Sequence, residues 1–136
     1  MPLIIEARLE RGVPVTGRHV GVYLSLSKKY LSEPYNLSPP RSYDVEGEIM
    51  DIKKVWGELE KEELKLKEII GVRINFSLSV AVIGTYDFLY ISERSWPILR
   101  DYGVLPEDYV LRVKLLRIKM DGEVLEIYPK RDVIVR

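Results

Sequence analysis

The chain has 136 residues, with 21 basic and 21 acidic side chains and a formal charge of zero. That length suits one domain, read here as residues 1–136, which can fold without staples. The charge balance excludes a protein that coats polyanions by bulk charge, and the lack of cysteine excludes a disulfide framework, a thiolate metal site and a cysteine nucleophile.

The opening, MPLIIEARLE, mixes acids and an arginine into a short apolar stretch, and no apolar run approaches the ~18 residues of a membrane span. The expectation is a cytoplasmic protein without membrane contact. With no glutamine, only Asn36 and Asn75 as asparagines, and 31% charged residues, the composition is that of a heat-adapted protein.

In chain order, Leu3, Ile5, Ala7 and Leu9 alternate with Ile4, Glu6, Arg8 and Glu10, which predicts a first strand. GVPVTG over 12–17 is turn material, and His19 is read as a turn residue at the start of the next strand. There Val20, Val22, Leu24 and Leu26 alternate with Gly21, Tyr23, Ser25 and Ser27. Residues 27–43 contain Pro34, Pro39 and Pro40 among tyrosines and cations, a pattern that suits neither helix nor strand and predicts a long loop.

A third strand follows, Val45, Gly47 and Ile49 alternating with Asp44, Glu46, Glu48 and Met50. The Glu- and Lys-rich segment after it predicts a helix over 58–70, with Val55, Trp56, Leu59, Leu66, Ile69 and Ile70 on one side and Leu64 pointing away. Strict alternation from Val72 to Val82 predicts a long strand, a bend or bulge at Gly84, and β structure on towards Ile91.

Ser95 is placed to cap a short helix over 96–102, stopped by Gly103. The C-terminal hairpin turns at Asp121-Gly122, with Met120 opposite Glu123, Ile118 opposite Leu125, Leu116 opposite Ile127 and Arg117 opposite Glu126. Its hydrophobic phase flips at Leu115-Leu116, which requires a β-bulge, and a last strand covers 133–135. This order predicts a mainly β domain, α+β at the margin. Its form is a small antiparallel OB-like barrel or curved sheet, with one helix between strands 3 and 4 and a short second helix.

Positive charge is in excess in residues 1–43 and 109–136. Arg112, Lys114, Arg117 and Lys119 share the outer face of one strand once the bulge is included. With Lys28, Lys29, Tyr30, Tyr35 and Arg41 of the loop they supply phosphate-neutralising cations and stacking rings, the chemistry of single-stranded nucleic-acid binding. The first reading is therefore a non-catalytic module for single-stranded nucleic acid. The competing account of the same row is a solvated face with Arg117 paired to Glu126.

The alternative function is a protein-interaction or homo-oligomeric assembly subunit. It would use the loop, the sheet edges and the small outer face of Arg73, Asn75, Ser77, Ser79 and Ala81. A third reading rests on Asp51 followed by Glu63-Leu64-Lys65, which resembles the metal-binding signature of PD-(D/E)xK nucleases, without the proline and with Glu63 and Lys65 in a predicted helix. Asp44, Glu46 and Glu48 share a strand face on which carboxylates either hold a hard cation or pair with lysines. No dinucleotide or Walker motif is present, so no cofactor is implied.

Overall fold

The computed structural model describes residues 2–14, 20–38, 43–128 and 133–135. Among the described residues nine strands make one sheet: β1 Leu3–Arg8, β2 Glu10–Gly12, β3 Gly21–Ser27, β4 Tyr43–Lys54, β5 Arg73–Val80, β6 Tyr86–Ile91, β7 Tyr109–Met120, β8 Glu123–Glu126 and β9 Val133–Val135. The path across it runs β2-β3-β6-β5-β4-β7-β1-β9, and β8 pairs with β7. All pairings are antiparallel except β1 with β9.

Only Leu9 separates β1 from β2, so most of the path begins and ends on one chain segment and the sheet curls into a barrel-like shell. Leu9 marks the bend: fully buried, it donates its N–H to the Tyr109 carbonyl and accepts from the Glu107 N–H, while Glu10–Gly12 crosses to β3. The mainly β, barrel-like architecture expected from the alternation is present. Its nine strands and one parallel pairing differ from the five-stranded OB arrangement.

The inward face of the shell follows the period-two pattern: Leu3 and Ile5; Val22, Leu24 and Leu26; Val45, Ile49 and Ile52; Ile74, Phe76, Leu78 and Val80; Leu111, Val113, Leu115 and Ile118. Two bulges let the longest strands curl. Glu46 pairs with Arg117 but Gly47 with Leu115, which leaves Leu116 as the extra residue and places the bulge where the hydrophobic phase flips. A second shift, between Ile49 and Asp51, makes Met50 extra on β4, and the buried positions pass there from Ile49 to Ile52.

The hairpin register is as expected, with Arg117, Ile118 and Met120 opposite Glu126, Leu125 and Glu123, and the Ile127 N–H bonded to the Leu116 carbonyl. Asp121 and Gly122 both have positive φ, 20° and 82°, as a type I′ turn requires.

Several local expectations need correction. The predicted α-helix is a 3₁₀ helix, Lys61–Ile69. Its three-residue repeat puts Glu63, Leu66 and Ile69 on one face, with Leu66 and Ile69 buried and Leu64 exposed. Trp56 does not join that face; it is 85% exposed. The third strand extends four residues further than the alternation indicated, to Lys54. At Gly84 the chain turns back, so β5 and β6 form a hairpin, and Val82 is exposed at its tip.

The short helix α1, Trp96–Asp101, is present and ends at Gly103, whose φ is +98°. Ser95 does not cap it: its hydroxyl accepts the Asn75 N–H at 2.9 Å and so ties the helix to β5.

Candidate functional site

The row of four cations on β7 exists, but most of it is spent in ion pairs. Arg112 donates twice to Glu6 Oε2, at 2.9 and 2.6 Å, and Lys53 reaches the other Glu6 oxygen at 2.7 Å. Arg117 bonds Glu46 at 2.6 Å and Glu126 at 3.2 Å; Glu46 is also reached by Arg73 at 2.9 Å and by Lys119 at 3.9 Å. Of the row, Lys114 alone has no ion pair.

The pairing follows from register, since β1 and β4 flank β7 and set Glu6 opposite Arg112 and Glu46 opposite Arg117. Lys53 and then Arg112 hold the Glu6 carboxyl below its ordinary range, and Arg117 with Arg73 does the same for Glu46. Arg117 is in turn pushed up, chiefly by Glu46. Of the acidic strand face, Glu46 is thus neutralised by cations and Glu48 meets Arg73 at 3.6 Å, whereas Asp44 has no ion pair among the described residues.

The proline loop is anchored. A 3₁₀ turn, Lys28–Tyr30, opens it; Leu31 and Leu37 enter the core, and Tyr30 and Tyr35 pack against that core. The Tyr35 hydroxyl accepts the Tyr128 N–H at 3.0 Å, and Tyr43 and Ser38 bond each other. Lys28 donates its ammonium to the Ala81 carbonyl, and Lys29 stands 5.1 Å over the Tyr30 ring. Arg41 and His19 lie outside the described residues. Lys29 and Tyr30 line a cleft between β1 and β3 together with Glu6, the partner of Arg112, whereas Lys119 at the other end of the row lines a different groove.

The nuclease-like residues are also apart in role. Asp51 is paired with Lys67 at 2.6 Å, not with Lys65. Burial raises the Asp51 carboxyl, and Lys67 with the Ile52 N–H outweighs it, for a net lowering. Glu63 takes Lys54 at 2.7 Å, the Tyr109 hydroxyl at 2.7 Å and its own helix's Glu60 N–H at 3.1 Å. Those bonds, led by Lys54, bring its pKa down to about 2, while burial and then Glu63 push Tyr109 up to about 12. Glu63 therefore pins the 3₁₀ helix to β4 and β7. Among the described residues no group of three or more Asp, Glu or His side chains is arranged to hold a metal ion.

The groove that Lys119 lines is an open one of about 1100 Å³ on the outer face of the sheet. Its floor is Gly21, Asn75, Ser77 and Ser92, with Tyr90 and Ile91, and Trp96 stands at its side from α1. A Cβ on Gly21 would lie 3.0 Å from the Tyr90 ring, so glycine leaves room for that ring beside β3. Tyr23, Phe88, Tyr90 and Ala81 form a second apolar cluster on this outer face, Tyr23 meeting Phe88 edge-on at 5.8 Å.

Arg11 and Arg94 line the groove, exposed and without any ion pair, and Lys119 has only its long contact with Glu46. Asp44 and Glu93 line it as well. Asn75 and Ser77, the middle of the small outer face visible in the alternation, belong to this floor. Arg11 and Arg94 were not visible as site residues, because one lies on the short strand β2 and the other in the turn before α1, and only the curl of the sheet brings them together.

No protein-family model matches the chain, and no curated protein or solved structure matches it either.

Proposed function

We propose that the chain is a non-catalytic binding module for single-stranded nucleic acid, with the strand lying in the outer groove of the sheet. The observation that carries this reading is the presence of Arg11, Arg94 and Lys119, none tightly paired, around a small polar floor with Trp96 beside it. Unpaired cations neutralise phosphates at no cost in broken ion pairs, and an aromatic side chain gives a base a surface to stack on. Arg112 and Arg117 serve the fold instead, and the composition supports a heat-adapted source.

The test is binding of labelled single-stranded DNA, single-stranded RNA and duplex DNA at two salt concentrations. The wild type is compared with the Arg11→Ala/Arg94→Ala double variant and with Lys114→Ala as a control on the β7 row. Expected is single-strand preference, a salt slope that shrinks by about 2 in the double variant, and little change in the control. No binding at low salt, or a double variant equal to wild type, overturns the reading.

A second reading, a protein-interaction subunit, is favoured by Trp56, whose 85% exposure is out of keeping with a solvated turn and suits an interface anchor. Sedimentation of the wild type and Trp56→Ala tests self-association; a monomer at all concentrations removes the homo-oligomeric form of that reading.

A further inference from the structure

Asp87 is the one fully buried ionisable side chain among the described residues, 0% exposed on β6. Its neighbours across the sheet are Leu26 on β3 and Val80 on β5, both apolar. One oxygen, Oδ2, accepts the N–H of Ser32 at 3.1 Å; the other, Oδ1, has no hydrogen-bond partner, and neither does the Ser32 hydroxyl. An asparagine would offer the same acceptor without the cost of a buried charge, so the carboxyl makes this attachment dependent on protonation.

We propose that Asp87 and the Ser32 amide form a proton-controlled latch, holding residues 28–37 against the barrel while the carboxyl is neutral and loosening as it ionises. The charged groups facing Asp87 are Lys28 and Glu33, both from the latched segment and of opposite sign, and the flanking strands contribute none. Burial raises the carboxyl above its ordinary 3.8, against the downward pull of Ser32 and Lys28.

The direction follows by linkage. The latched state binds the proton more tightly than an opened, hydrated one. Latching is therefore strongest below the ordinary carboxyl pKa and weakens as pH rises, until the raised pKa is passed. Opening would hydrate Oδ1, withdraw Leu31 and Leu37 from the core, and widen the cleft that Lys29 and Tyr30 line.

The experiment is amide hydrogen exchange of residues 31–37 from pH 4 to 8, corrected for intrinsic base catalysis, in the wild type and Asp87→Asn. Wild-type protection is expected to fall by up to about tenfold per pH unit over part of that range, and Asp87→Asn to stay protected and flat. Flat protection in the wild type, or the same pH dependence in Asp87→Asn, overturns the latch. Carbon-13 titration of the wild-type carboxyl decides independently of any variant: a midpoint above 3.8 is required, and one at or below it refutes the proposal.

Discussion

Arg117 and Glu46 face each other across β7 and β4 with 2.6 Å between nitrogen and oxygen, and Glu46 also carries Arg73 and Lys119. The carboxylate is only 17% exposed, whereas Arg73 and Lys119 are more than half exposed, so solvent screens their share of the attraction. Glu46→Gln keeps the shape and removes the charge. It is expected to lower stability by about 1 kcal/mol, read as a shift in denaturation midpoint at constant slope. It also removes one negative charge from beside three cations, of which Arg117 keeps Glu126 and Arg73 keeps Glu48, so affinity for single-stranded DNA at low salt should rise.

Carboxylates with depressed pKa values set the acid limb of stability. Glu6, Glu46, Asp51 and Glu63 all ionise more readily in the fold than in the unfolded chain, Glu63 at about 2 against an ordinary 4.5. Their contribution is complete above the unfolded values and is lost as pH falls through the folded ones. The urea midpoint is expected to decline from about pH 4.5 towards pH 2, less steeply in Glu63→Gln. A midpoint that is flat across that window would contradict the ion-pair geometry. Asp87 acts in the opposite sense: its raised pKa adds stability below the ordinary carboxyl value, lost as pH rises through the folded one, and Asp87→Asn removes that component.

Gly47 sits where β4 bends over the core beside a bulge. A Cβ there would come within 2.8 Å of Val113 Cγ1 and 3.1 Å of Phe76 Cε2, both buried side chains with little room to retreat. Gly47→Ala is expected to destabilise by about 1 to 3 kcal/mol through overpacking, measured by thermal or urea unfolding. Gly57→Ala tests a different mechanism: open space surrounds that position, and only its φ of +80° resists the change.

Alternation made the strands legible, because a buried face repeats every second residue whichever strands become neighbours. The bulge at Leu116 is legible for the same reason, as a slip in phase; the one at Met50 shows the same slip, from Ile49 to Ile52, but only one buried residue follows it, too few to mark a new register. The segment from Lys61 was read with the wrong period: Leu66 and Ile69 are compatible with both α and 3₁₀ spacing, and Glu63 tips the balance by bonding Tyr109. The candidate site was legible only in its floor. Asn75 and Ser77 stood out as small residues on a strand face, whereas Arg11 and Arg94 lie 83 positions apart and meet only after the shell has curled. The cation row misled because sequence shows charges but not which carboxylates stand beside them.

The two tryptophans separate the competing readings of function. Trp96 lines the groove and is half-buried against the core, and Trp56 stands free in solvent. A nucleic acid in the groove should quench Trp96 fluorescence, by base stacking, and leave Trp56 unchanged. Trp56→Phe is therefore expected to keep the quenching signal and Trp96→Phe to abolish it. Because phenylalanine retains an apolar ring against the core, affinity in Trp96→Phe should drop severalfold without loss of fold, checked by circular dichroism. If Trp56 reports the binding event instead, the ligand sits at the turn after β4, and the groove is not the site.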